Sequence, residues 1–269
     1  MKISIVTINY NNLLGLKETI ASVIGQSYPQ KELIVIDGGS TDGSAEYIYS
    51  HKESLAYFVS EKDNGIYNAM NKGVAHTTGD YVIFMNSGDS FFNRDVLKDV
   101  FEGKEISSDI VYGSTLCRTE PGKAFLRRPH SLDVMQKYRV SAMCHQSAFI
   151  KCSLIKELGY DERFRLLGDY AFFYYCYRQG YAFQEINKII SIYDTIGVSS
   201  NPKNRWQTYI ETCMIHGRKP KRFIFLLKKI NLSIKEALKR VLPQSIRVKL
   251  TRLPNGNMPI TPIDSFEQL

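Results

Sequence analysis

Several carboxylates stand where a short apolar run hands over to a polar turn. Residues 81–85 read as a buried strand that stops at Asn86-Ser-Gly-Asp89. Residues 33–36 run into Asp37-Gly-Gly-Ser-Thr-Asp-Gly43, residues 55–59 precede Glu61-Lys-Asp63, and a charged loop over 161–168 leads to Asp169. In open α/β sheets ligands are met beyond the carboxyl ends of the strands, so Asp89 is placed to meet a metal ion or a phosphate-bearing substrate. A carboxylate within reach of a hydroxyl can also take its proton. Each residue has a plainer alternative: Asp89 as an ordinary turn acid, Asp169 as the N-cap of an aromatic-rich helix, and His145 as a satisfied structural histidine.

Regular elements must hold these side chains in place. Residues 3–8 form the first predicted strand, and Asn11 or Asn12 can cap the helix that follows, on which Leu13, Leu16, Ile20, Val23 and Ile24 share a face. After the second strand, Gly38 and Gly39 allow close backbone approach to a ligand, and Ser40, Thr41 or Asp42 can cap a helix running to Ser50. Ile66, Ala69, Met70 and Val74 mark a third helix. Further on, the pattern predicts a helix over 95–102, a strand over 109–113, an arm over 125–129 and a strand opening at His145 and Gln146. A last strand follows over 189–193, with helices within 203–216. Four strand-to-helix steps at short spacing predict an α/β fold whose mostly parallel central sheet has helices on both faces.

A chain of 269 residues with 43% hydrophobic content suits one large domain with an appendage, divided here as 1–216 and 217–269. Cys117, Cys144, Cys152, Cys176 and Cys213 are odd in number and form no CxxC pair, which argues against a disulfide scaffold or a zinc site and for a reducing, cytoplasmic setting. No stretch of about 18 apolar residues occurs. The net charge of +8 is uneven, with twelve Lys or Arg against the single acid Glu236 between Arg218 and Arg252, which leaves the remainder mildly acidic. Phe223, Phe225, Leu226 and Ile230 interleave with those cations, as in amphipathic helices lying on an anionic membrane surface. The alternative is a helical pair packed on the body with its charges solvated. Only two Phe occur in that basic stretch and the body is acidic, so nucleic acid is not an expected partner.

The chain resembles the inverting glycosyltransferases of family 2, which have the nucleotide-sugar-binding GT-A fold, over Met1 to about Ser200. The resemblance rests on Val6-Thr-Ile-Asn-Tyr-Asn11, the Asp37–Gly43 run, Asp63-Asn-Gly-Ile-Tyr-Asn-Ala-Met-Asn-Lys-Gly73, Met85-Asn-Ser-Gly-Asp89 and Gly168-Asp169. It implies a hexosyltransferase of bacterial polysaccharide biosynthesis, with Asp169 as catalytic base and Asp89 holding Mn²⁺ or Mg²⁺ on the diphosphate. Thr7, Asn9, Asp37, Gly38, Asp63, Asn68, Lys72, Asn86 and His145 would line the nucleotide-sugar site. Asn86 and Gly88 stand where the family's metal motif carries Asp, and Gly38 stands where many relatives read uracil with Asp. A UDP-sugar donor, a lipid-linked or oligosaccharide acceptor, and work at the inner face of the cytoplasmic membrane follow from the same resemblance. A non-catalytic nucleotide-sugar-binding or scaffold protein that keeps the fold is the alternative.

Overall fold

The apolar runs become strands because both of their faces are covered. In a computed structural model of the chain, which describes residues 1–120, 123–195, 202–223, 225–226 and 261–262, four strands run parallel in the order β3-β2-β1-β4. They are β1 (Ile3–Asn9), β2 (Lys31–Asp37), β3 (Tyr57–Ser60) and β4 (Tyr81–Phe84). The first two connections carry α1 (Leu13–Ile24) and α2 (Ser44–Ser50), and α3 (Ile66–Ala75) leads back to β4. Successive side chains of a strand point to opposite faces, so Ile5 packs with Leu16, Ile20 and Val23 of α1 while Val6 packs with Ala69, Met70 and Val74 of α3. Each such buried aliphatic side chain contributes about 1.5–3 kcal/mol, which is why the sheet needs both helical layers.

Beyond β4 the sheet turns antiparallel. The next two elements are β5 (Ser90–Phe91) and α4 (Val96–Phe101). β6 (Ile110–Glu120) and β7 (Lys123–Arg127) form a hairpin, so the arm expected over 125–129 is a paired strand. β8 (Ala148–Lys151) lies between β4 and β6 and is antiparallel to both. α6 (Cys152–Leu158) and α7 (Gly168–Gln179) follow, with α5 (Val134–Lys137) earlier in the chain. β9 (Phe183–Asp194) is far longer than the strand expected over 189–193, and pairs with β6 and β5. Its first half carries Gln184, Glu185, Asn187 and Lys188 and is only half covered, so it shows no apolar run to read.

Of the extension expected over 217–269, only 217–223, 225–226 and 261–262 lie within the described residues. Its first residues meet α8 (Arg205–Ile215): the Phe225 ring stands 4.8 Å from Trp206 and 5.6 Å from Tyr209, while Phe223 is 70% exposed. β10 (Thr261–Pro262) pairs with β7. The amphipathic helices expected between these segments lie outside the described residues. Among the described residues no helix is long and apolar enough to cross a membrane.

The end of the sheet opposite the polar turns is tied by Glu32. Its carboxylate accepts from Ser4 Oγ, Thr78 N–H and Thr78 Oγ1, each at 2.6 Å, and pairs with Lys2. Burial pushes the carboxyl up, and those donors outweigh it and bring it down from 4.5 to about 2. A carboxyl held below its unfolded value stabilises the fold above that value and loses the contribution as pH falls toward the folded value. Glu32→Gln is therefore expected to lower stability by about 1–2 kcal/mol near neutrality. The deficit should shrink as pH drops through about 4 toward 2. Denaturant unfolding of both proteins across that range checks this, and a deficit that does not change with pH rules it out.

Candidate functional site

Strand order reverses at β1, with β2 on one side and β4 on the other, and this opens a crevice beyond their carboxyl ends. At the end of β2, Asp37 is 0% exposed. It accepts from Asn9 Nδ2 (2.7 Å), Ser40 Oγ (2.6 Å), Ser40 N–H (2.9 Å) and Ser60 Oγ (2.6 Å). Burial raises this carboxyl, and the four donors outweigh it and hold it below its ordinary value. Asp37 thus ties the ends of three strands together, its oxygens already occupied. Thr7 Oγ1 and Asn9 Oδ1 are buried there without a hydrogen-bond partner. A Cβ on Gly38 would stand 3.1 Å from Asp63 Oδ2 and 3.2 Å from the Tyr10 ring, so Gly38 lets these two approach. Tyr10 is 69% exposed at this mouth, an aromatic face that the sequence reading passed over.

Lys72 pairs with Glu61 at 2.6 Å and Asp63 at 2.8 Å, which pins the loop beside Gly38. Asn68 donates to Glu162 at 3.0 Å and accepts from Asn64 N–H at 3.2 Å, so it binds α3 to the loop that precedes Asp169.

The Asn86–Asp89 turn rests on α1. The Thr19 hydroxyl lies 2.7 Å from the Asp89 carbonyl and accepts from Gly88 N–H at 3.0 Å, and Asn12 Nδ2 donates to the Ser87 carbonyl at 2.9 Å. Of the two candidate caps, Asn12 is the one used, through its Oδ1 and Gly15 N–H. A Cβ on Gly15 would come within 2.8 Å of Gly88 N, so only glycine lets the turn sit this close. Arg118 donates to the Gly88 carbonyl at 3.2 Å while pairing with Glu18 and Asp194.

Asp89 is 6% exposed, and burial raises its carboxyl to about 7 against the lowering effects of the His145 charge, Asn86 N–H and Gln146. Asn86 Oδ1 is buried with no partner. Among the described residues no three His, Cys, Asp or Glu side chains converge on a metal position. One carboxylate that burial leaves short of a cation, with one free amide oxygen in the same turn, fits a hard divalent ion whose remaining ligands are phosphate and water oxygens.

Asp169 is not a cap. The N-cap position of α7 is Leu167, and Asp169 lies inside the first turn. Its Oδ1 accepts from the Tyr67 hydroxyl at 2.9 Å and its Oδ2 stands 3.1 Å from His145 Nδ1. His145, in a short 3-10 turn just ahead of β8, places Nε2 3.3 Å from Asn86 Nδ2. Tyr67, Asp169, His145 and Asn86 form one line across the crevice. Burial pushes Asp169 up, and the hydrogen bond and charge of His145, with the Tyr67 hydroxyl, outweigh it and hold the carboxyl below the usual range. Burial pulls His145 down, and the hydrogen bond to Asp169 with the charges of Asp169 and Asp89 turns the balance upward.

Two supports of Asp169 escaped the sequence reading. Glu211 of α8 is 0% exposed and accepts from the N–H groups of Arg165, Leu166 and Leu167, the residues leading into α7. Tyr67 lies within the Asp63–Gly73 run but carries no signal of its role, because its partner is over a hundred residues away.

Gly168 provides the space Tyr67 needs, since a Cβ there would lie 2.7 Å from two atoms of the Tyr67 ring. Ala is the better helix former by about 0.5–1 kcal/mol, so Gly168→Ala would stabilise α7 if nothing stood against it. The expected outcome is a net loss of about 1–3 kcal/mol from overpacking. In a Tyr67→Ala background the same change should become neutral or stabilising. A double-mutant cycle by chemical denaturation measures both, and equal effects in the two backgrounds would show that Gly168 and Tyr67 are independent.

Known proteins resemble this chain in sequence and in fold. The family model described as Glycosyl transferase family 2 matches residues 4–181. An uncharacterized glycosyltransferase of Mycobacterium tuberculosis is 36% identical over 177 residues, 63% of this chain and 66% of that protein. A PGL/p-HBAD biosynthesis glycosyltransferase of Mycobacterium bovis is 28% identical over 205 residues, 74% of this chain and 78% of its own. Among solved structures, S. aureus TarS in complex with UDP-GlcNAc gives a TM-score of 0.59 at 18% identity, over 80% of this chain and 66% of that one. The mannosyltransferase PcManGT of Pyrobaculum calidifontis, in complex with GDP-Man and Mn²⁺, gives 0.59 at 19% identity, over 82% and 65%. At those identities the likeness speaks for the fold, and the family model covers the strands, turns and helix that build the crevice. The chain belongs to glycosyl transferase family 2.

Proposed function

We propose that this chain is an inverting hexosyltransferase that moves a sugar from a UDP-sugar to a hydroxyl of a lipid-linked or oligosaccharide acceptor in bacterial polysaccharide biosynthesis. The observation that carries the reading is Asp169: a carboxylate kept ionised inside the crevice by His145 and Tyr67, across from the Asp89 turn. TarS with its UDP-GlcNAc and a relative named poly-beta-1,6-N-acetyl-D-glucosamine synthase, 36% identical over 80 residues, support the donor and product class.

The acceptor hydroxyl is too weak an acid to attack unaided. Asp169 accepts its proton as the oxygen bonds to the anomeric carbon, and the bond from that carbon to the diphosphate oxygen breaks on the opposite face. Such general-base help is typically worth about 10²–10⁴-fold. The depressed carboxyl keeps Asp169 free of its own proton near neutrality, and Tyr67 and His145 fix where its remaining lone pairs point. Burial and the Asp169 charge hold the Tyr67 phenol well above its usual range, so it stays a donor. Thr7, Asn9, Gly38 and the exposed Tyr10 ring receive the nucleoside. A Mn²⁺ or Mg²⁺ ion held by Asp89 and Asn86 Oδ1 would neutralise charge on the departing phosphates.

The basic extension is read as a foothold on an anionic membrane at the cytoplasmic face, with exposed Phe223 and Leu226 beside Arg218, Lys219, Lys221 and Arg222 as its described part. Each cation at such a surface adds about 1 kcal/mol, attenuated by salt. The full chain is expected to bind vesicles containing phosphatidylglycerol, to release as salt rises, and to ignore neutral vesicles. Sedimentation with the vesicles tests this, and indifference to lipid charge leaves the extension as packing on the body, the arrangement Phe225 adopts.

Release of nucleoside diphosphate from a panel of nucleotide-sugars, with and without Mn²⁺, tests the reaction. Wild type should turn over one donor, with UDP-sugars first, whereas Asp169→Asn should lose at least about 10²-fold while keeping its melting temperature and UDP affinity. Binding without turnover in the wild type, in the presence of an oligosaccharide acceptor and Mn²⁺, would favour the non-catalytic reading.

A further inference from the structure

Arg127 closes β7, and cross-strand register through β6 and β8 carries it past the level at which β4 ends, on the side of the crevice. Cross-strand register sets it opposite Thr115 of β6, itself opposite Ser191 of β9, and directly opposed residues share a face of the sheet. Cys117, two residues beyond Thr115, shares that face, as does its β9 partner Tyr193. The Thr115 hydroxyl lies 2.7 Å from Ser147 Oγ, which lies 2.6 Å from Ser191 Oγ, so this face rests against the turn that carries His145. The guanidinium accordingly lies within electrostatic reach of the Asp169 carboxylate and beside the Cys144 and Cys117 thiols and the Tyr193 phenol, which burial keeps neutral, and Cys144 and Tyr193 in turn lie within reach of both Arg127 and Asp89.

Among the described residues no carboxylate is left to answer this cation. Asp169 is engaged by His145 and Tyr67, and Asp194 and Glu18 by Arg118. Among the described residues no hydrogen bond or ion pair reaches the Arg127 guanidinium. A half-buried guanidinium has five donors and no acceptor, and is costly to keep unless an anion meets it. The adjoining site has an unmet need of the opposite kind. A nucleoside diphosphate leaves with about three negative charges, and a divalent ion on a single carboxylate offsets only part of them.

We propose that Arg127 is a phosphate-binding residue of this site, its guanidinium taking two oxygens of one phosphate in a paired, planar contact. That phosphate belongs either to the diphosphate leaving the donor or to the one that anchors a lipid-linked acceptor. The choice between those two sources rests on the transferase reading, while the chemistry of the contact does not. Arg is suited to it over Lys because its fork matches two phosphate oxygens at once.

The test compares wild type, Arg127→Gln and Arg127→Lys by calorimetry with UDP, uridine, farnesyl diphosphate in detergent and inorganic pyrophosphate, each with Mg²⁺. Arg127→Gln is expected to weaken binding of at least one phosphate-bearing probe by about ten- to a hundredfold, to leave uridine unchanged, and to melt no lower than wild type, because none of the described residues pairs with Arg127. Arg127→Lys should fall between the two. Weakening of UDP assigns Arg127 to the donor, and weakening of farnesyl diphosphate alone assigns it to the acceptor. A pyrophosphate contact that depends on Arg127 in a protein blind to UDP and nucleotide-sugars would sink the transferase reading and leave this site standing. Unchanged affinity for all phosphate probes, or a lowered melting temperature without any change in phosphate affinity, overturns the proposal.

Discussion

A carboxylate kept charged away from bulk water must be met by donors, and at Asp169 those donors come from elements far apart in the chain. One oxygen takes the Tyr67 hydroxyl and the other faces His145 Nδ1, so the acid is tied at once to α3 and to the turn ahead of β8. Each tie has its own supports. Gly168 leaves room for the Tyr67 ring, Glu211 satisfies the amides that lead into α7, and Ser147 anchors the His145 turn to β6 and β9 through hydroxyl contacts. The loss of any one would loosen the acid without touching it. A half-satisfied buried polar network is worse than none, which explains why so many elements converge on one side chain.

The Asp89 turn follows a different logic. Its backbone is fixed from below by Asn12, Gly15 and Thr19 of α1 and from the side by Arg118, but its carboxylate is given little to offset burial. The result is a carboxyl raised to about 7 beside an amide oxygen with no partner. Rigid backbone with under-satisfied oxygens is what a site for an oxygen-ligated ion requires, since the ion itself completes the hydrogen-bonding and charge balance. Asp37 shows the contrast, with its four donors leaving it nothing to offer. Two acids beyond the ends of β2 and β4, the strands on either side of β1, thus differ in kind, one fully hydrogen-bonded and one unmet.

Arg127 extends the same contrast to the opposite charge. Arg118, nearby on the same hairpin, is held by Glu18 and Asp194 and serves the turn, whereas Arg127 meets no acceptor among the described residues. A site whose described residues leave both a carboxylate and a guanidinium unmatched is arranged around something they do not themselves supply.

The order β3-β2-β1-β4 came from tertiary pairing, while the sequence by itself determined the strand-helix alternation, a mostly parallel sheet and the polar turns at its edge. These rest on local apolar periodicity and on turn residues such as Gly38 and Gly88, whose signals lie within a few residues of the structure they cause. It also brought out Asp89, Asp169 and His145 as candidates, because carboxylates and imidazoles after apolar runs stand out. It left open whether Asp169 was a cap, and it could not show that Asp37 is fully occupied, that β9 runs for twelve residues, or that Tyr67 and Glu211 serve Asp169. Those outcomes depend on contacts between residues far apart in the chain, and a side chain's function as cap, ligand or support is set by what folding brings within hydrogen-bond reach. Tertiary structure alone decided which acids are satisfied and which are not, because hydrogen-bond satisfaction belongs to the neighbourhood and not to the residue.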